Sequence, residues 1–234
     1  MALVTPTVSS ALAATLAELK AAGELDLATF NKGESSSVDY SAPFALFSQW
    51  YAQAQTTETP WANAVNVATV GANGRPSSRA VLMQMFSVQN GFGFYTNYAS
   101  RKGREMDENP FVAMTFYWPQ LARQVRIEGR VAKASETDSD AYFARRPRGH
   151  QISAWSSLQS ECLPSADVFT TRIREMEAQF PEGTPVPRPP HCGLYFVTPD
   201  AFEFWCEGGN RRHQRLTFSK SDGEALWTIG RLFP

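Results

Sequence analysis

The chain has 234 residues, of which 43% are hydrophobic and 19% charged, with a formal net charge of −1. That length fits one large domain, and the apolar content is enough for a real core. The near-zero charge argues against nucleic acid or an anionic membrane surface as the main partner, and no apolar run approaches the roughly 20 residues of a membrane span.

Residues 1–40 read as an N-terminal arm, partly helical or flexible. Its first part, MALVTPTVSSALAATLAELKAAG, lacks the early positive charge of a secretion signal. Leu12, Leu16 and Leu19 recur at helical spacing, so an amphipathic helix or a loosely held arm is expected there. Residues 24–40 are polar and Ser-rich, with the character of a linker. The folded body is expected over 41–234. Ser41-Ala42-Pro43 opens a helix with Phe44, Phe47, Trp50 and Tyr51 on one face, since serine before an early-turn proline is a start signal.

From Ala62 the pattern turns to strands. Alternation over 63–70 leads to GANGRP, where Asn73-Gly74 is the strongest hairpin cue. A strand over 77–86, a turn at Gln89-Asn90-Gly91 and a strand over 92–96 follow. A short helix over 100–108 is closed by Asn109-Pro110. Next come strands over 111–118 and 122–133, then a helix over 137–146 stopped by Pro147. A polar loop around Gln159-Ser160 precedes a helix over 165–180, and PEGTPVPRPP reads as a crossing loop. Three strands centred near Tyr195, Phe204 and Thr217, and a last one over 226–232, complete the chain. Successive hairpins with few helices predict a mainly β, antiparallel barrel with flanking α-helices.

Cys162, Cys192 and Cys206 are odd in number and lack metal-type spacing, so free thiols in a reducing, cytoplasmic compartment are the simplest reading. No HxxxH or CxxC pattern occurs among the three histidines and three cysteines, and no metal is expected.

The most informative stretch runs from Gly91 to Gly129. A strand-like run with Phe92, Phe94 and Tyr95 breaks at Asn97, and Ser100-Arg101-Lys102 then opens a helix. A hydroxyl, a helix N-terminus and adjacent cations form a phosphate-binding pattern without a glycine loop of the Walker type. Three further groups have both a bland and a functional reading. In Arg123-Gln-Val-Arg-Ile-Glu-Gly129, alternation sends Gln124, Arg126 and Glu128 to one face and Val125 and Ile127 to the other. That face is either half solvated or the lining of a groove. Tyr142 and Arg146, four apart on a helix, form either a solvated basic end or a grip for phosphate. Arg211, His213 and Arg215 alternate on an expected strand, giving either an exposed edge or a face that needs an anion. His213 is the best acid/base candidate.

Taken in order, these segments resemble the pyridoxine (pyridoxamine) 5′-phosphate oxidase family. The likeness is carried by Arg79-Ala-Val-Leu82, Phe94-Tyr-Thr-Asn-Tyr-Ala-Ser-Arg-Lys-Gly103 and Arg123 to Gly129. It continues through Tyr142-Phe, Arg146-Pro-Arg148, Gln151-Ile, Gln159-Ser160, Glu203-Phe-Trp205, Arg211-x-His213-x-Arg215 and Arg231-Leu-x-Pro234. It covers about residues 43–234. The resemblance implies an FMN-binding split β-barrel of Greek-key type, working as a homodimer with FMN at the subunit interface. It implies oxidation of pyridoxamine 5′-phosphate and pyridoxine 5′-phosphate to pyridoxal 5′-phosphate, with hydride passing to the flavin and oxygen then giving hydrogen peroxide.

By position, the resemblance makes Arg79, Thr96, Ser100, Arg101 and Lys102 contacts of the FMN phosphate and ribityl chain. Val81, Leu82, Gln84 and Tyr95 flank the cofactor, and Gln124 lies at the flavin. Gln159, Ser160, Trp205 and Arg215 correspond to cofactor residues near the partner subunit. Gln84, Tyr142, Arg146, His150, Arg211 and His213 correspond to substrate residues, with Arg211 and His213 catalytic. Three positions depart from the family pattern: Gln84 where lysine is usual, His150 where serine is usual, and Gln214 where aspartate is usual. Loss of a cation at a phosphate costs on the order of 1.5–3 kcal/mol if nothing compensates. Two other readings therefore stand beside the first: an FMN split-barrel oxidase of a non-B6 substrate, of the phenazine-pathway type, and a non-catalytic flavin- or pyridoxal phosphate-binding protein.

Overall fold

A computed structural model of the chain describes residues 37–39, 42–221, 224 and 226–234. The arm helix expected around Leu12–Leu19 lies outside the described residues. Among the described residues there are nine strands: β1 (Ser37–Asp39), β2 (Ala64–Val70), β3 (Pro76–Ser87), β4 (Gly91–Asn97), β5 (Phe111–Trp118), β6 (Arg123–Lys133), β7 (Cys192–Cys206), β8 (Gln214–Ser219) and β9 (Leu226–Arg231). Five α-helices among the described residues flank them: α1 (Ala42–Thr57), α2 (Arg101–Glu108), α3 (Glu136–Ala144), α4 (Arg148–Ser156) and α5 (Ala166–Gln179).

The strand order β1-β9-β8-β7-β4-β3-β2-β5-β6 closes through a further β7–β6 pairing. A six-stranded antiparallel barrel results, and β5 returns to lie beside β2, so β5-β2-β3-β4 form a Greek key. Two turns at the expected hairpins need glycine. Gly74 and Gly91 both have φ of +72°, and a Cβ on Gly91 would stand 1.9 Å from the Val197 carbonyl oxygen.

Alternation explains the core. On β5, Val112, Met114, Phe116 and Trp118 are buried, while Phe111 and Tyr117 are exposed. On β6, Val125 and Ile127 are buried, while Arg126 and Glu128 are not, as expected from their spacing. Helix α1 supplies the aromatic plug. Phe47 sits edge-on to Phe86, Phe92 and Phe116, and Trp50 edge-on to Phe204. Such pairs add about 0.5–1.5 kcal/mol each beyond the burial of their area.

Five sequence expectations need correction. The strands expected near Tyr195 and Phe204 are one strand, β7. Thr198-Pro199-Asp200 looks like a turn, but Pro199 sits opposite a register shift between Glu128 and Gly129, where a bulge tolerates it. The stretch before Gln159 is not all loop, because α4 occupies Arg148–Ser156 with Pro147 as its N-cap. Arg146 lies in the turn after α3 rather than on it, with its N–H donating to the Phe143 carbonyl at 3.0 Å. Arg211, His213 and Arg215 do not share a strand face. Gly209–Arg211 is a 3-10 turn with left-handed backbone at Asn210 and Arg211, and β8 begins only at Gln214. The linker expected over 24–40 ends in β1, which pairs with β9.

Candidate functional site

β7 is shared by two neighbours along one edge. Its first half pairs with β4 from Asn97↔Cys192 to Phe92↔Val197, and its second half with β8. β4 in turn pairs with β3 only from Met83↔Phe94 onward. Past that point β4 continues alongside β7 and β3 alongside β2, so the two strands diverge. A cavity of about 570 Å³ opens in this wedge, roofed by α4 and the turn after α3.

β3 contributes Arg79, Val81, Leu82 and Gln84 to the wall, and β4 contributes Tyr95 and Thr96. Lys102 enters from α2, and Gln159 from the loop after α4. Tyr142, Arg146 and His150 close the other side. Eleven of the site residues expected from sequence therefore meet in one place. Sequence reading missed Asn97, Ser153, Ser157 and Cys192 on the same wall. The spacing of Ser153 and Ser157 would have been a signal had α4 been recognised.

Two cationic poles line this space. At the first, Ser100 caps α2, and its Oγ accepts from the Gly103 N–H at 3.3 Å. Lys102 is buried and donates to Thr96 Oγ1 at 3.0 Å, Ser100 Oγ at 3.2 Å and Gln159 Oε1 at 2.9 Å. Burial, with Arg79 nearby, lowers its pKa to about 8. The Arg101 N–H donates to Ser160 Oγ at 3.1 Å, while the Arg101 side chain pairs with Glu105 at 2.8 Å and stays 58% exposed, off the cavity wall. Glu105, missed from sequence, is buried. Desolvation alone would raise its pKa, but hydrogen bonds from Thr69, Arg101, Ser77 and Arg79 outweigh it and hold the carboxyl at about 2.

At the second pole the Arg146 guanidinium lies 4.9 Å over the Tyr95 ring, and Tyr95 stacks on Tyr142 at 4.9 Å. Arg146 makes no ion pair among the described residues. The Tyr95 hydroxyl is buried without a hydrogen-bond partner, and burial raises its pKa. A buried unsatisfied hydroxyl on a cavity wall is costly unless a ligand or water completes it. Gln84 donates to the Leu82 carbonyl at 3.0 Å, and Cys192 is held protonated by burial at a pKa of about 11.

Gln124, Trp205, Arg211, His213 and Arg215 do not reach this cavity. They form a second group, in which Gln124 pairs with Trp205 and Trp205 with Arg215. Buried Glu203 pairs with Arg215 at 2.6 Å and Arg126 at 2.9 Å. His213 lies 4.8 Å from the Trp205 ring, and its Nδ1 accepts from the Gly208 N–H at 3.4 Å. Between the two groups run β2 and β5, carrying exposed Tyr117 beside Gln124. On the cavity side Leu82 is also exposed. Around the barrel β3 and β7 are four strand steps apart through β2, β5 and β6 and two through β4, and Trp205 lies on β7 beyond the part that pairs with β4.

Comparison with known proteins fits the barrel and its seam. Residues 53–180 match the family model described as pyridoxamine 5′-phosphate oxidase, and residues 193–234 match the pyridoxine 5′-phosphate oxidase C-terminal dimerisation region. The pyridoxine/pyridoxamine 5′-phosphate oxidase of Paraburkholderia phytofirmans is 44% identical over 222 residues, covering 94% of this chain and 99% of that protein. The enzyme of the same name from Acaryochloris marina is 45% identical over 192 residues, covering 82% and 86%. Among solved structures, PhzG from Burkholderia lata 383, in complex with tetrahydrophenazine-1-carboxylic acid, superposes with a TM-score of 0.76 at 27% identity, covering 88% of this chain and 96% of that one. An FMN-binding protein from Nostoc punctiforme, described as related to pyridoxamine 5′-phosphate oxidase, shares the fold with a TM-score of 0.65 at 17% identity, covering 82% and 98%. The chain is an enzyme with an antiparallel split-barrel fold, and it belongs to the pyridoxine/pyridoxamine 5′-phosphate oxidase family.

Proposed function

We propose that this protein is an FMN-dependent oxidase that converts pyridoxamine 5′-phosphate and pyridoxine 5′-phosphate to pyridoxal 5′-phosphate, with oxygen as acceptor and hydrogen peroxide as product. The observation that carries this reading is the cavity with two cationic poles, Lys102 with Arg79 at one and Arg146 at the other. Two phosphorylated molecules side by side need such an arrangement. The poles differ in the right sense: the first has the capped helix start of a fixed phosphate site, and the second has aromatic rings beside a single guanidinium. The unpartnered Tyr95 hydroxyl suits a polar ligand along that wall.

FMN, when bound, supplies the acceptor for the hydride. The chain's own residues bind, orient and adjust charge. In this reading Arg79, Lys102, Thr96 and the N-terminus of α2 hold the FMN phosphate, with Ser100 and Arg101 supporting them. Val81, Leu82, Tyr95 and Gln124 border the ring system, with Gln159 and Ser160 beside it. Arg146 and Tyr142 hold substrate phosphate, assisted by Gln84 and His150. Arg211 and His213 approach the reacting carbon from a second copy, with Trp205 and Arg215 alongside, and stabilise charge as hydride leaves. The separation of the two groups in one chain supports a homodimer, and so does the exposed apolar strip with Leu82 and Tyr117 between them. A C-terminal segment matching a dimerisation region agrees with it. The catalytic body is residues 41–234 and the compartment is the cytoplasm, in keeping with three free thiols.

Gln84 favours a second reading. Its amide is turned to the Leu82 carbonyl, which leaves Arg146 as the permanent cation lining that side of the cavity among the described residues. A carboxylate on a tricyclic substrate would need no more, and the solved relative in complex with a phenazine carboxylic acid is of that kind. One experiment separates these readings. The purified protein should be yellow, bleach with pyridoxamine 5′-phosphate under nitrogen and recolour in air. Bleaching only with a dihydrophenazine carboxylic acid would favour the second reading, and a yellow protein that no donor bleaches would mark a binding protein.

A further inference from the structure

Arg79 and Lys102 line the first pole, Arg101 lies beside it off the cavity wall, and one buried carboxylate stands behind all three. Glu105 Oε2 accepts from Thr69 Oγ1 at 2.5 Å, from Ser77 Oγ at 3.1 Å and from Arg79 Nη2 at 3.1 Å, while Oε1 accepts from Arg101 Nε at 2.8 Å. Glu105 is 8% exposed and does not line the cavity. Arg79 does line it, yet its Nη1 is held by Thr69 Oγ1 and the Val67 carbonyl, and its Nη2 by Glu105 and Ser77 Oγ. One carboxylate thus braces two guanidinium groups from different elements, β3 and α2. It also leaves the cluster with two net positive charges, the complement of a phosphate monoester dianion.

We propose that Glu105 is a positioning residue that makes this cradle selective for a terminal, dianionic phosphate, by bracing Arg79 and Arg101 and cancelling the third positive charge. Its natural ligand rests on the FMN reading above. A cradle of three unbraced cations would attract any anion, whereas a braced one rewards a ligand with two charges and three acceptor oxygens in one place.

Titration of the flavin-free full-length protein by quenching of flavin fluorescence tests this. Glu105→Gln should weaken FMN about tenfold and leave riboflavin, which has the same ring without phosphate, unchanged. Glu105→Asp, which keeps the charge, should recover part of the loss. In an Arg79→Ala background the effect of Glu105→Gln should shrink to about threefold or less. FMN bound as tightly or more tightly by Glu105→Gln would overturn the proposal, and so would equal weakening of FMN and riboflavin. If Glu105→Gln does not fold, Glu105→Asp carries the same FMN-against-riboflavin comparison. If the wild type binds neither flavin, the FMN reading fails by itself, and the cradle is read by thermal shift with inorganic phosphate against dimethyl phosphate. The wild type should then respond to phosphate alone and Glu105→Gln to both about equally, whereas unchanged discrimination in the variant would sink the role of Glu105.

Discussion

Lys102 is buried with three acceptors within 3.2 Å, whereas Arg211 is exposed on a turn with left-handed backbone. The first belongs to a pole assembled within one chain, from a helix cap, two strands and a loop. The second belongs to a group whose anchored member, Arg215, is held by Glu203, while Arg211 is exposed on its turn and His213 is only half-buried. A binding pole that must hold its ligand through many turnovers gains from fixed, pre-paired donors. Groups that meet substrate across an assembly can be set by the partner surface instead. Under the proposed roles, the contrast would mean that burial within one chain reports cofactor retention better than it reports catalysis.

The largest test of this contrast uses mixed subunits. Lys102→Ala and Arg211→Ala should each be nearly inactive at low added FMN, the second by about 10²-fold or more, as for lost transition-state stabilisation. If each site takes Lys102 from one copy and Arg211 from the other, exchanging subunits of the two variants should restore roughly a quarter of wild-type activity, since half the dimers then carry one intact site. No recovery after proven exchange would place both residues in one chain's site. His213→Ala should behave as Arg211→Ala does, lowering kcat and kcat/KM together while FMN affinity stays put.

Next in size is Lys102→Ala measured on the cofactor. Losing hydrogen bonds from a charged donor should weaken FMN by about 10- to 100-fold, and turnover at saturating FMN should recover. A variant that keeps its flavin through dialysis would move the phosphate away from this pole.

Gln84→Lys sharpens the other pole. A second cation beside Arg146 should lower KM for pyridoxamine 5′-phosphate about tenfold in steady-state assays. If KM for that substrate does not fall, the non-B6 reading gains.

The smallest effect is one of pH. Lys102 has a pKa lowered to about 8 in the unliganded protein, and a phosphate dianion favours its charged form. Below that value the lysine is already charged and contributes no pH dependence to binding. Above it, binding must take up a proton, so FMN affinity should fall with rising pH, by at most about tenfold per unit. Fluorescence titrations from pH 7 to 9.5 check this, and Lys102→Arg should flatten the curve.

The local part of the first pole was legible in the sequence: Ser100, Arg101 and Lys102 announce a capped helix start, and Thr96 precedes it on one strand. The barrel was legible through alternation and hairpin turns, as Val112 to Trp118 and Asn73-Gly74 illustrate. Long-range partnership was not. Glu105 looks like an ordinary helix-surface acid until β2 and β3 bring Thr69, Ser77 and Arg79 to it. The helix α4 was hidden because its residues carry no amphipathic stripe, and the alternation of Arg211, His213 and Arg215 misled because Asn210 and Arg211 adopt left-handed backbone. Continuity of β7 was masked by Pro199, which a bulge accommodates only in the company of β6.

That continuity ties the two groups to a common phase. Cys192 stands on the cavity wall at one end of β7, and Glu203 and Trp205 stand in the second group near the other. Strand side chains change face with every residue, and the odd separation of Cys192 from Glu203 and Trp205 would by itself put them on opposite faces; the register shift between Glu128 and Gly129 offsets it. The irregularity at Pro199 is therefore a calibration mark: it absorbs one residue of mismatch with β6, and it keeps the cavity-side group and the Glu203 group in step along one piece of backbone.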